Sequence, residues 1–592
     1  MKLYLNSEYL IIKYITIFLM VFLVTVSCKG LDNNGLPPSD VDNGGLFLPD
    51  GFEALVVADS TGRARHIAVN DNGDIYVKLR YHGDRSGGGN LALRDTTNDG
   101  KVDIMQNFGD YVDEGHLAAG MRIHDGYLYF SSVRNVYRNK LTPGDLIPQS
   151  EMELILTDDH DHGVDHWHIT KAMAFDGNGN IYVPFGSPSN SCQEMLIPSL
   201  ASTTGAPGLD PCPELEDHGG IWRFDLNKTE QTQEDGELFA TGIRNAVAVD
   251  WNPVDDNLYA VVHDRDNLQV LFPELFSPWQ NAWIVAGEFI RVTEGSNFGW
   301  PYCFYNKMQE KKVLNPEYGG DGNIVGRCSE FEDPIVAFPR FAPNDLLFYQ
   351  GDQFPDRYKN GAFIAFHGSN NRTPYPQAGF FVAFVPFENG EPSGDWEIFA
   401  DGFTGMEPVS SPGDAEYRPM GLAEGPDGTL YLSESQKGKI WRIMFKGDKN
   451  QFGESNLDNM EKRKMETHIR TPDPIEDNLD KGLKFGPGEL VFNKYCRSCH
   501  GTDGKGDDNF FPPLNKSEWV IGGDKERLIS TILNGLEGPI DVKGRTYDGV
   551  MPSFRYLSDE EIADLLTFIR QNFGNNASEI RSEEVNEARK FN

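Results

Sequence analysis

Between residues 47 and 445 the apolar positions come in short runs that alternate with polar ones, cut by turns rich in Gly, Asn, Asp and Pro. A period of two in runs this short predicts strands, and helical spacing is almost absent. One unit recurs: an alternating strand, a turn with Gly or Asn, then a second strand carrying an aromatic residue. Its copies lie at 66–77, 121–129, 172–183, 247–259 and 421–432, with a degenerate one at 346–366. Six hairpins at wide spacing predict a radial array, an all-β six-bladed β-propeller; a tandem of β-sandwiches would not need the same hairpin so often.

The pattern changes beyond residue 445. Residues 446–485 are charged and nearly free of long apolar runs, and read as a linker. Farther on the spacing turns helical: Ile562, Leu565, Leu566, Phe568 and Ile569 share a face behind a capping box of Ser558 and Glu561. Residues 486–576 read as a small all-α domain, with 577–592 as a C-terminal tail. At the other end, Lys2 and Lys13 precede an apolar run at 14–24, followed by Thr25-Val26-Ser27-Cys28. Residues 1–28 therefore read as a signal peptide ending in a bacterial lipobox-like sequence, although Thr25 stands where Leu is usual. Lipid on Cys28 would tie the protein to a membrane on the outer side of the cytoplasmic boundary, in the cell envelope; a plain N-terminal anchor helix is the other reading. Residues 29–46, rich in Gly, Asn, Asp and Pro, read as a tether.

The formal net charge of -37 over 592 residues argues against nucleic acid as a partner, since phosphates need a basic face. The most specific chemistry is Cys496-Arg497-Ser498-Cys499-His500, a C-x-x-C-H attachment sequence for c-type haem. The two thiols take the vinyl groups, and His500 reaches the iron. Met551 is the candidate for the opposite ligand, because a thioether there raises the iron potential and suits electron transfer. With Gly488 to Cys496, Gly501-Thr502-Asp503-Gly504 and Phe511-Pro512-Pro513-Leu514, this region resembles the class I cytochromes c. Of the seven cysteines, Cys192, Cys212, Cys303 and Cys328 remain after Cys28 and the haem pair. Four allow three pairings, and sequence neighbours, Cys192–Cys212 and Cys303–Cys328, are the natural ones in an oxidising compartment.

Propeller function lies in loops that converge on the channel. Four of the 13 histidines, His160, His162, His166 and His168, sit in one such loop. Others are Gly242-Ile243-Arg244-Asn245, Asn297-Phe298-Gly299-Trp300-Pro301 and His367-Gly368-Ser369-Asn370-Asn371-Arg372, with Arg418 ahead of the last hairpin. With Gly186 to Cys192, these segments resemble the PQQ-dependent glucose/sorbosone dehydrogenases over about 400 residues. That resemblance implies PQQ and Ca2+ as cofactors, His168 as general base, Arg244 and Asn245 on the quinone, and Arg372 and Arg418 on its carboxylates. It also implies a calcium ion held by backbone carbonyls of His263-Asp264-Arg265-Asp266, a weaker match. Lys171 stands where many relatives carry Arg. The physical chemistry agrees: arginine pairs bidentately with carboxylates, and a neutral imidazole can take a hydroxyl proton as hydride leaves. The expected function is a quinohaemoprotein dehydrogenase that oxidises a sugar or related aldehyde or alcohol. It would pass electrons to its own haem and on to an external acceptor such as another cytochrome. The alternative is an electron-transfer cytochrome whose propeller only binds carbohydrate or protein. Asp95-Thr96-Thr97-Asn98-Asp99-Gly100-Lys101-Val102-Asp103 has the oxygen spacing of a calcium loop but lacks the distal Glu, so a plain turn competes with that reading.

Overall fold

Each recurring hairpin supplies the first two strands of a four-stranded antiparallel sheet, and there are six such sheets. The pairs are Ala64–Val69 with Ile75–Leu79, Met121–His124 with Tyr127–Ser131, and Ala174–Phe175 with Asn180–Phe185. Ala246–Asn252 with Asn257–Val262, Pro343–Phe348 with Ala362–Phe366, and Pro419–Glu424 with Leu430–Glu434 complete the set. The first strands of successive sheets pack beside one another around a central axis. The second strands lie between neighbouring sheets, and Ile75–Leu79, Ala362–Phe366 and Leu430–Glu434 are buried along their whole length. This computed structural model describes residues 35–80, 89–109, 111, 118–159, 168–193, 202, 204–472, 487–501, 503–506, 511–536, 538–547, 551, 553–555 and 557–591.

The ring is closed by a strand from the other end of the propeller. Phe52–Ala58 adds to Ile440–Phe445 as the outer strand of the last sheet, with Phe52 opposite Phe445. Main-chain hydrogen bonds thus fasten the two ends of the propeller together. Behind this seam lies an aromatic cluster. Phe52 meets Phe354 edge-on at 4.8 Å between centroids, and Phe363 meets Phe399 at 4.6 Å, the tilted geometry that aromatic quadrupoles favour.

Both flanks of the propeller are more ordered than their composition suggests. In the segment read as a tether, Leu36 and Leu46 are buried, and Trp441 Nε1 donates to the Gly44 carbonyl at 3.0 Å. The segment read as a linker runs as a strap across the fifth sheet up to Pro472. It carries the helix Asp458–Arg463, buries Leu457, Met460 and Ile469, and pairs Arg463 with Asp401. The apolar anchors are isolated in a charged sequence, so no periodicity announces them. Both disulfides form as sequence neighbours, Cys192–Cys212 and Cys303–Cys328. The second staples a hairpin, Cys303–Asn306 with Lys311–Leu314, inserted into the fourth sheet.

The second domain is helical, as expected, with one small hairpin, Ile540–Val542 with Arg545–Tyr547. Helices Pro487–Tyr495 and Asp559–Gln571 cross where a Cβ on Gly488 would overlap the Asp564 carbonyl, so only glycine permits that approach. The domain extends beyond residue 576: Ser582–Phe591 is a helix, not a tail, and Val585 and Ala588 bury its thin apolar stripe. Among the described residues no helix is long and apolar enough to cross a membrane. The lipobox reading at Cys28 lies outside the described residues.

Candidate functional site

The turns that lead into the first strands of the sheets converge on a cavity of about 1410 Å³ at one end of the propeller axis. Its wall carries Arg63, Arg65, Arg80, Arg244, Arg340 and Arg418 against two carboxylates, Asp264 and Asp266. In a chain of net charge -37 this is a concentrated positive field. Arg244 is fixed on three sides: it donates to the Asp264 carbonyl at 3.0 Å, to the Asn190 carbonyl at 3.3 Å and to Asp266 Oδ2 at 2.9 Å. Arg418 donates to the carbonyls of His367 and Gly368, both at 2.9 Å. Arg340 donates to Asp266 Oδ1 at 2.8 Å, while its Nε and Nη2 are buried without a partner among the described residues. Burial pushes the Asp266 carboxyl up, but Arg244 and Arg340 outweigh it and hold it below the usual carboxylate range.

His168 lies on the same wall as Arg244 and Asn245. Its Nδ1 donates to the Ser187 carbonyl at 2.6 Å. A carbonyl can only accept, so the proton sits on Nδ1 and Nε2 keeps its lone pair. Burial, reinforced by Arg244, lowers the imidazole pKa to about 3, so the ring is neutral at physiological pH. The close approach of the two chains depends on Gly186, where a Cβ would overlap the His168 carbonyl. Lys171 is not part of this wall. Its ammonium is fully buried and pairs with Asp158 at 2.8 Å, above the Phe185 ring.

Three sequence expectations need correction. Arg372 is not on the cavity wall; it is fully buried, and its Nε and Nη1 have no partner among the described residues. Burial and the neighbouring Arg340 lower its pKa to about 9. Arg265 turns away, to Glu317 at 2.5 Å and Asn315 at 3.0 Å. In the segment His263 to Asp266, two of the four main-chain oxygens implied for calcium are already engaged. The Asp264 carbonyl already accepts from Arg244, and that of Asp266 from Asn190 and Arg265. His263 Nε2 is taken up by the Pro343 carbonyl at 2.5 Å and Asn344 Oδ1 at 3.1 Å. The loop from Asp95 to Asp103 is likewise self-satisfied. Asp95 accepts the amides of Thr97, Asn98 and Gly100, and Asp103 accepts from Thr96. It is an Asp-Gly turn. His160, His162 and His166 lie outside the described residues.

Arg63, Arg65, Arg80 and Arg340 were not picked out from the sequence. A signal exists: Arg63 and Arg340 stand just ahead of first strands, as Arg244 and Arg418 do. That shared register marks Arg63 and Arg340, whereas Arg65 lies within a first strand and Arg80 follows a second one.

The second cavity, about 1040 Å³ and almost wholly apolar, lies inside the helical domain. Cys496, Cys499, His500 and Met551 all reach it. His500 Nδ1 donates to the Pro512 carbonyl at 2.9 Å, so its Nε2 keeps a lone pair for a metal. Met551 is half-buried on the same wall, held by main-chain bonds to Leu536 at 2.8 and 3.0 Å. An apolar slot, paired thiols, an oriented imidazole and a thioether fit a covalently attached haem.

Residues 46–446 match the TrAA12-like family. The chain belongs to that family. Residues 486–573 match cytochrome c, so the second domain is a cytochrome c domain. Among solved structures, the Trichoderma reesei carbohydrate-active enzyme of family AA12 superposes with a TM-score of 0.53 at 18% identity, covering 69% of this chain and 99% of that one. The PQQ domain of pyranose dehydrogenase from Coprinopsis cinerea gives 0.50 at 16% identity, covering 71% and 100%. At these identities the likeness is one of fold. Cytochrome c-552 of Thermus thermophilus is 45% identical over 82 residues, 13% of this chain and 63% of its own length. The cytochrome c subunit of the quinone alcohol dehydrogenase of Gluconobacter oxydans is 37% identical over 101 residues, 17% of this chain and 21% of its own. The chain thus spans less than two thirds of these curated relatives.

Proposed function

We propose that this TrAA12-like protein is an extracytoplasmic quinohaemoprotein dehydrogenase. It binds PQQ in the arginine-lined cavity, oxidises a sugar or a related aldehyde or alcohol, and hands the electrons to its own c-type haem. One observation carries the reading: a neutral imidazole with its proton committed to Nδ1, on the same wall as unpartnered guanidinium N–H groups. A polycarboxylate quinone needs those donors, and Arg340 offers two buried N–H groups that no described residue satisfies.

PQQ, when bound, supplies the hydride-accepting chemistry. The protein's contribution is positional and electrostatic. Arg63, Arg65, Arg80, Arg340 and Arg418 would hold the carboxylates, and Arg244 and Asn245 would face the quinone oxygens. His168 Nε2 takes the substrate's hydroxyl proton while the Ser187 carbonyl stabilises the imidazolium that forms. The haem then serves as a one-electron outlet to an external acceptor, for which another cytochrome is suited. Oxidation outside the cytoplasm agrees with the disulfides and the covalent haem.

The test is an absorption titration of the purified haem-loaded protein with PQQ, followed by a panel of aldoses and aldehydes with haem reduction as readout. Saturable PQQ binding and substrate-dependent reduction support the proposal. Failure to bind PQQ would reject it in favour of a non-catalytic propeller.

A further inference from the structure

Phe511 lines both cavities. It stands beside Pro512 in the haem slot and near His367 and Arg418 in the arginine-lined cavity. A second contact joins the domains nearby. Arg497, inside the attachment motif between Cys496 and Cys499, donates from Nη2 to Ser410 Oγ at 2.7 Å. Ser410 precedes the short turn Pro412–Asp414, and Pro412 is itself on the wall of the arginine-lined cavity. The Arg497 guanidinium is partly buried there, close enough to Asp414 to feel its charge. Arg497 thus follows Cys496 directly and stands two residues before Cys499.

We propose that Arg497 seats the cytochrome domain on the mouth of the propeller, and that Phe511 is the wall through which electrons pass from the arginine-lined cavity to the haem. This rests on PQQ occupying that cavity. A haem held by Cys496 and Cys499 would be attached on both sides of Arg497 in the sequence, so the contact with Ser410 would set how near the haem comes to the propeller. A single aromatic residue, Phe511, is common to the walls of both cavities. Oxidation of one hydroxyl to a carbonyl releases two electrons and two protons. The iron takes one electron at a time, going from ferric to ferrous, and an external one-electron acceptor such as another cytochrome must reoxidise it between the two passages. The protons leave by way of His168 and solvent. Arg497 is a positioning residue in this scheme, since it touches neither substrate nor reacting atoms.

The experiment uses full-length, haem-loaded protein reconstituted with PQQ. Arg497→Glu sets a carboxylate against Asp414, Asp414→Lys sets an ammonium against Arg497, and the double variant restores the pair with its signs exchanged. Three readouts are taken: substrate-driven haem reduction by stopped flow, turnover with a phenazine dye that accepts electrons directly from the quinone, and the small-angle scattering profile. Each single variant is expected to slow haem reduction by on the order of tenfold or more, because like charges facing across a contact cost several-fold to hundreds-fold in association. Dye-linked turnover stays unchanged, the scattering profile lengthens, and the double variant recovers the rate and the profile. A double variant as slow as the singles, or singles that reduce haem at the wild-type rate, overturns the seating role. Phe511→Ala tests the wall separately: haem reduction slows while the scattering profile stays that of the wild type, and an unchanged rate overturns it. If the wild type shows no dye-linked turnover, the PQQ reading fails instead, and the scattering of the charge variants still decides whether Arg497 seats the domain.

Discussion

His168 donates its Nδ1 proton to the carbonyl of Ser187 across 2.6 Å, and this one bond leaves the ring lone pair on Nε2. Burial and then Arg244 hold the imidazole near a pKa of about 3. A base held this low stays unprotonated throughout the neutral range, whereas an unperturbed histidine would be lost near its usual value of about 6.5. Substrate-driven haem reduction is therefore expected to show no acid limb from this group between about pH 8 and pH 5. An inflection near 6.5 that disappears in His168→Ala would contradict the assignment.

The strap over the fifth sheet carries a charge latch. His468 is fully buried, with Nε2 at 3.0 Å from Asp401 Oδ1 and Nδ1 against Glu407. Burial lowers its pKa, but the two carboxylates outweigh burial and raise it to about 9. A folded pKa above the unfolded one stabilises fully below about 6.5, and that contribution is lost as pH rises through about 9. Limited proteolysis of the strap should accelerate between pH 7 and pH 10 in the wild type. His468→Gln should cleave quickly at both, and equal rates for the two proteins at pH 7 would rule the latch out.

Lys171 and Asp158 form a pair with almost no solvent contact. Removing Lys171 leaves the buried Asp158 carboxylate to His218, whose Nε2 lies 3.6 Å away, and breaking a buried pair typically costs about 3–5 kcal/mol. Lys171→Met should lower the unfolding free energy of the propeller by that order in denaturant titration. Lys171→Arg should retain most of it. A neutral effect of the methionine variant would show that Asp158 finds another partner.

Met551 shares the haem cavity with His500. Met551→Ala is expected to leave the haem covalently attached, lower its reduction potential and let an added ligand such as imidazole bind the iron. Spectroelectrochemistry that finds potential and spectrum unchanged would remove Met551 from the iron.

The hairpin repeat was legible because all six copies repeat one burial environment, a strand pair packed between sheets, and burial writes itself as alternation and aromatic residues. The closing strand Phe52–Ala58 was not, because nothing local distinguishes a strand that pairs with Ile440–Phe445 from one that pairs with its neighbours. The residues that meet in the haem cavity were legible, since a C-x-x-C-H attachment sequence demands fixed residue types at fixed spacing. The arginine-lined cavity was read in part. Arg244 and Arg418 came from the family resemblance, but Arg63, Arg65, Arg80 and Arg340 depend on the tertiary convergence of separate sheets. Arg372 depends on packing in the same way: its motif puts it near the channel, while the fold buries it off the cavity wall, within reach of the Arg340 charge.

The central claim is that His168 is the proton acceptor for an oxidation whose electrons arrive at the haem of Cys496 and Cys499. The direct measurement is stopped-flow absorption of the haem band after mixing PQQ-loaded protein with an oxidisable aldose, wild type against His168→Ala. Loss of a general base typically costs about a hundred- to ten-thousand-fold. The account predicts a fall of that size in the rate of haem reduction, with PQQ affinity and reduction of the haem by dithionite unchanged. A variant that still reduces its haem with substrate at near the wild-type rate would contradict it.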